Sequence, residues 1–217
     1  MNASTPTESL ELASLLCSRL CHDMLSPVGA LSNGLELLAE EKDPQMRARC
    51  MELLEQSARV SADKLKFFRL AFGAAGGFGD AVPVAEPKAL IEALVSNNGR
   101  ITLEWVISAE ALPKPAVKVL LNLSQIAVEA LVRGGTLDIA VELRGGAVEI
   151  AIRASGPRIA FDSHVGAALE GRLTPGELSS RTAPAAMIEQ LATACRGALQ
   201  FALSEEALVL GAVLPLV

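Results

Sequence analysis

The stretch Leu20-Cys21-His22-Asp23-Met24-Leu25-Ser26-Pro27 gathers an imidazole, a carboxylate, a hydroxyl and a proline within about two helical turns. His22 lies two residues after Leu20 and two before Met24, both members of an apolar series. At 100° per residue its side chain therefore points away from that series and into solvent. Imidazoles as a class titrate near neutral pH, so an exposed one is available as a neutral nucleophile. Asp23, adjacent and acidic, can orient the ring or accept its proton, which leaves the other ring nitrogen nucleophilic. Ser26, the i+4 neighbour, can hydrogen-bond the ring or an oxygen of a group carried on it. Pro27 cannot donate to the carbonyl of Asp23 and its ring clashes there, so a bend is expected just beyond His22. Gly29 and Gly34 add local softness. A proline inside an otherwise strong helix costs about 3 kcal/mol, and such a defect points to use rather than accident.

The elements that must hold this group are helical. Thr5-Pro6-Thr7-Glu8 has the layout of a capping box with proline at the first helical position. Apolar residues then recur at Leu12, Leu16, Leu20, Met24, Val28, Leu31, Leu35 and Leu38, a stripe with steps of three and four. Glu40-Glu41-Lys42-Asp43-Pro44 interrupts it, with Asp43 placed to cap a second helix and Pro44 at its first position. That helix carries Leu54, Ala58, Leu65, Phe68 and Phe72 on one face, with Met46, Cys50 and Leu53 leading in. Two long helices and a short turn make an antiparallel hairpin. Leu15, Leu25, Leu37, Val60 and Phe67 flank the main stripes and also require burial. Pairing two hairpins into a four-helix bundle would provide it, so a homodimer is expected.

Gly73 to Asp80 is a small-residue linker, and the pattern changes after it. Pro87–Asn97, Pro115–Val132 and Pro184–Cys195 read as helices. Ile101–Ile107, Leu137–Leu143, Ala147–Ala154, Ala198–Leu203 and Ala207–Leu214 read as strands, with turns at Arg144-Gly145-Gly146 and Ser204-Glu205-Glu206. Helices beside an antiparallel or mixed sheet give a two-layer α/β sandwich, and the chain as a whole is α+β. The expected division is a disordered tail over 1–7, the helical hairpin over 8–78 and the sandwich over 79–217.

Composition narrows the function classes. With 51% apolar residues in 217, a sizeable core can be buried. No apolar run is long enough to span a bilayer, and the polar, mildly acidic start lacks the features of a secretory signal. The expectation is a cytoplasmic protein with no membrane partner. A net charge of −6 without a Lys/Arg cluster disfavours nucleic acid and anionic lipid. Cys17 and Cys21 share a helix face, but His22 points about 100° away from Cys21 and no CxxC pair completes a tetrahedral set. The four cysteines are therefore read as small buried thiols and no metal site is assigned. His164 has neither motif nor stripe around it and reads as a surface residue.

His22-Asp23-Met24-Leu25-Ser26-Pro27 resembles the H-box of sensor histidine kinases, in which the histidine of a dimerisation hairpin accepts a phosphoryl group. The second half resembles the kinases' ATP-binding domain in degenerate form. Val119–Ala127 looks like the N-box helix, but Ile126 stands where a magnesium-binding asparagine is usual. Ile152–Ile159 looks like the first glycine box, but the adenine-binding aspartate falls on Ala154 and the second glycine on Arg158. The segment Ser180–Ala185, where the lid belongs, has no glycine. Alanine cannot bond the adenine amino group, isoleucine cannot coordinate a hard cation, and without glycines the backbone cannot wrap phosphates.

A phosphoacceptor hairpin joined to such a domain is similar to the ChpT family of bacterial histidine phosphotransferases, most specifically at Leu20–Pro27 and Phe67–Gly73. The resemblance implies a phosphorelay carrier without stably bound cofactor and without ATP. The receiver domain of a hybrid histidine kinase would donate to His22, which would pass the group to response regulators. Mg²⁺ would be supplied by the receiver. The implied catalytic group is His22, Asp23, Ser26 and Pro27, and the expected docking patch is Arg19 with an exposed Met24, Leu25 and Val28. A non-catalytic scaffold for regulators and a divergent histidine kinase stay open as alternatives at this point.

Overall fold

The computed structural model describes residues 6–73, 79–96, 99–174 and 176–216. Helices α1 (Pro6–Glu40) and α2 (Pro44–Ala71) form the antiparallel hairpin. The turn between them is built from local chemistry. Asp43 caps α2 by accepting from the Gln45 amide at 3.1 Å, with Pro44 at the first helical position. Arg47 donates to the carbonyls of Leu38 and Glu41 at 2.7 and 2.8 Å, serving acceptors that the end of α1 leaves unpaired. Because α1 begins at Pro6, residues 6 and 7 are helical rather than part of a tail. The expected cap Thr5 lies outside the described residues. Helix α1 is continuous through Pro27, which is buried.

The remainder is the sandwich. Its helices are α3 (Ala85–Ser96), α4 (Lys114–Ala130), α5 (Ser163–Leu169) and α6 (Ala183–Ala194). The main sheet is formed by β2 (Ile101–Ile107), β4 (Gly135–Arg144), β5 (Ala147–Ser155), β6 (Ala198–Leu203) and β7 (Ala207–Pro215), in the order β2-β4-β5-β7-β6. The β2–β4 pair is parallel and the others antiparallel, so the sheet is mixed. Gly145 and Gly146, at φ 59° and 79°, make the two-residue turn from β4 to β5, a conformation that glycine adopts without a Cβ penalty. One face of the sheet (Leu137, Ile139, Ile150, Ile152, Leu208, Leu210) is buried against α4, whose Leu120, Leu121 and Leu123 are fully covered. Strand alternation supplies that face, and transfer of apolar surface from water holds it.

Two features fell below the reach of periodicity: α5, and a miniature sheet of β1 (Ala81–Pro83) with β3 (Ala111–Pro113). The hairpin does not stand apart from the sandwich. Phe67, Phe68, Leu70 and Ala71 at the end of α2 enter the same core as α3 and α4. The buried Asn122 ties α4 there by donating to the Ala71 carbonyl at 3.5 Å and to Lys118 at 2.8 Å. Phe67 was expected to need a partner hairpin, but the sandwich covers it.

Candidate functional site

His22 projects from the middle of α1 with its side chain 82% exposed. Its Nδ1 lies 3.1 Å from Oδ1 of Asp23. A carboxylate can only accept, so this contact places the proton of a neutral ring on Nδ1 and leaves the Nε2 lone pair facing outward. The other oxygen of Asp23, Oδ2, accepts from Arg19 Nε at 2.8 Å, one turn earlier on α1. Arg19 in turn pairs through Nη2 with Glu129 of α4, and Glu129 accepts from Gln125 Nε2 at 3.1 Å. The site is thus wired to the sandwich.

Charge follows this wiring. Partial burial works to raise the Asp23 carboxyl, but the bonds from Arg19 and His22 and the charges of Arg19 and Lys64 outweigh it and hold the carboxyl below its ordinary value. Burial works to lower the Arg19 guanidinium, yet the charge of Glu129 and the bond to Asp23 leave it raised. The backbone of Asp23 is held as well. Pro27 has no N–H to give the Asp23 carbonyl, and Lys64 of α2 donates to that carbonyl instead, at 2.8 Å.

Some of the expected site residues stand elsewhere than anticipated. Ser26 is exposed beside His22, but no bond joins it to the ring among the described residues. Met24 is not exposed; it packs against the core, because it points opposite His22 toward the sandwich. Arg19 is 14% exposed and paired with Asp23 and Glu129. Leu25, at 71%, and Val28 are exposed. Leu25 flanks His22 at i+3, whereas Val28, six residues on, points about 120° away. Cys17 and Cys21 are free and exposed rather than buried, on a side of α1 that none of the described residues covers. His164 is a surface residue whose ring faces Asp162 at 3.2 Å. Among the described residues no cluster of three or more His, Cys, Asp or Glu is placed to hold a metal ion.

Sequence reading missed Lys64, Gln125 and Glu129. Pro27 signals an orphan carbonyl at Asp23 and hence a missing donor, but not which one. Glu129 carried no local signal. In the sandwich, Ala154 is fully buried in β5 and Arg158 is exposed beyond it. Asn122, Ile126, Phe161, Asp162, Arg181 and Pro184 line a cleft of about 40 Å³. No described helix is long and apolar enough to cross a membrane.

Comparison with known proteins agrees with this architecture. The family model of the histidine phosphotransferase C-terminal domain matches residues 84–207. Protein phosphotransferase ChpT of Brucella abortus (strain 2308) is 39% identical over 137 residues, 63% of this chain; the match spans 64% of that protein, just under two thirds of its length. A solved structure of a bacterial phosphotransferase superposes with a TM-score of 0.82 at 29% identity, covering 96% of this chain and 98% of its own. Its agreement extends over hairpin and sandwich together. With the family match spanning more than half of its residues, this chain belongs to the histidine phosphotransferases and is a ChpT-like protein.

Proposed function

We propose that the chain is a phosphorelay carrier that accepts a phosphoryl group on Nε2 of His22 from the aspartyl phosphate of a hybrid-kinase receiver domain. It then passes the group to the aspartate of a response regulator. The observation that carries this reading is the arrangement of His22, exposed with Nδ1 committed to Asp23 and Nε2 free. In the first step the Nε2 lone pair forms the N–P bond while the O–P bond of the acyl phosphate breaks, and the receiver's carboxylate leaves. Positive charge develops on the ring as Nε2 bonds phosphorus, and the Asp23 carboxylate stabilises it across the Nδ1 proton. The second step reverses the first, with a regulator's carboxylate as nucleophile and the ring as leaving group. Such a transfer asks mostly for in-line positioning. The receiver brings Mg²⁺ and its remaining catalytic groups. Ser26, the exposed i+4 neighbour of His22, would bond a phosphoryl oxygen, and the exposed Leu25 beside His22 would give the receiver an apolar contact.

ATP is not the phosphate source in this reading. The residues that resemble the kinase nucleotide site carry Ile126, Ala154 and Arg158. The cleft lined by Asn122 and Ile126 is about 40 Å³, far below the several hundred Å³ of ordinary small-molecule sites. The exposed leucines of the hairpin further support a homodimer. The test mixes the protein with a phosphorylated receiver domain and Mg²⁺, without ATP, and follows acid-labile, alkali-stable phosphate. Label is expected on the wild type and not on His22→Ala, with no binding in a Mg–ATP titration. Absence of label from several receivers, with intact folding, would favour a scaffold that binds regulators without carrying phosphate.

A further inference from the structure

We propose that Glu129, on α4 of the sandwich, is a positioning residue for the phosphoacceptor, acting through Arg19 and Asp23 to keep the His22 ring with Nε2 free. The inference rests on His22 being the phosphate carrier and adds a task for the second domain. The four groups form an unbroken series. Glu129 holds Nη2 of Arg19, Nε of Arg19 reaches Oδ2 of Asp23 at 2.8 Å, and Oδ1 of Asp23 faces Nδ1 of His22 at 3.1 Å. Asp23 has one oxygen for each neighbour, so fixing the first fixes what remains for the ring. Arg19 and Asp23 are an i,i+4 pair on one helix, which alone is a weak constraint on two mobile side chains. The cross-domain contact to Glu129 adds a second anchor for the guanidinium. It arrests the guanidinium at 14% exposure, and Gln125, itself buried, braces Glu129 from the preceding turn of α4. No bond joins Glu129 to the His22 ring among the described residues. Because it acts through Arg19 and Asp23, its contribution is assigned to ring geometry rather than to partner affinity.

The experiment uses the full chain labelled with ¹⁵N-histidine. Only two histidines are present, so His22→Ala assigns the signals. The wild-type His22 ring is expected as the Nδ1–H tautomer. Glu129→Ala should shift it toward the Nε2–H form and slow single-turnover transfer from a saturating phosphorylated receiver about tenfold, short of the hundredfold that direct misplacement costs. The receiver concentration for half-maximal rate should stay unchanged. Glu129→Gln keeps an acceptor for Arg19 and should recover most of both effects. An unchanged tautomer and transfer rate in Glu129→Ala would overturn the proposal while leaving the carrier role intact. Were wild type to take no phosphate, the carrier role would fail, and the ¹⁵N shifts alone would still decide whether Glu129 orients the ring.

Discussion

Asp23 is the residue on which most of the site's physics converges. Its carboxylate is shared between Arg19 and His22, and its carbonyl is served by Lys64. Because these partners hold the folded-state carboxyl below its ordinary value, the interaction stabilises the fold above the unfolded-state value, near pH 4. It is lost as pH falls through the lower folded-state value. Urea unfolding of wild type should therefore lose stability between about pH 5 and pH 3 more steeply than Asp23→Asn, which cannot carry that charge. At pH 7 the variant should be the less stable, by no more than about 1 kcal/mol, since the pair is partly solvated. The remaining carboxylates titrate in both proteins and cancel in the difference. Parallel pH profiles would mean that the Arg19–Asp23 contact contributes nothing to folding.

At the scale of the elements, the junction of α1 and α2 turns on one missing donor. Pro27 leaves the Asp23 carbonyl to Lys64, so the two residues act as a unit although they lie on different helices. Lys64→Met alone should cost about 1.5 kcal/mol, the low end for a hydrogen bond from a charged donor. In a Pro27→Ala background the restored amide can serve the carbonyl, and the same substitution should cost less than half as much. A double-mutant cycle by urea unfolding would register this as a coupling of at least about 0.7 kcal/mol, and additive costs would sever the link. This pairing also marks where sequence reading stops. The hairpin turn was legible at Asp43-Pro44 and the β4–β5 turn at Gly145-Gly146, because caps and left-handed turns are local chemistry. The outward direction of His22 was legible because it follows from an angle along one helix. The exposure of Met24 was not legible because it depends on where the sandwich docks against α1. Lys64 and Glu129 lie 41 and 110 residues from their partners, beyond any local pattern. Strands β1 and β3 are too short to alternate visibly and exist through their pairing with each other. Helix α5 is seven residues long and rests on Asp162, which accepts from the His164 amide.

For the molecule as a whole, the hairpin is half covered. The sandwich buries Phe67 and Phe68 at one end, while toward the turn Leu35 and Leu53 stay 59% and 60% exposed. A Cβ at Gly34 would lie 2.8 Å from Leu54, so the helices are in close contact there and Leu35 and Leu53 sit at the same height. Leucines left exposed along a hairpin are what a second hairpin would cover in a four-helix bundle. Leu35→Glu with Leu53→Glu charges both sides of the hairpin at this level, and two-fold symmetry counts the interface substitution twice. At roughly 1.5 kcal/mol or more for burying each of the two, the dimer should weaken by about a hundredfold or more. Sedimentation velocity at micromolar concentration should then find dimeric wild type and a monomeric variant with unchanged circular dichroism. A wild type that sediments as a monomer at 100-fold higher concentration would refute the bundle and leave these leucines without a role. The variant also separates assembly from chemistry. Glu129, Arg19, Asp23 and His22 all belong to one chain, so a folded monomer should keep the wild-type His22 tautomer. Any loss of phosphoryl transfer in that monomer would then belong to receiver docking across the two hairpins rather than to the ring.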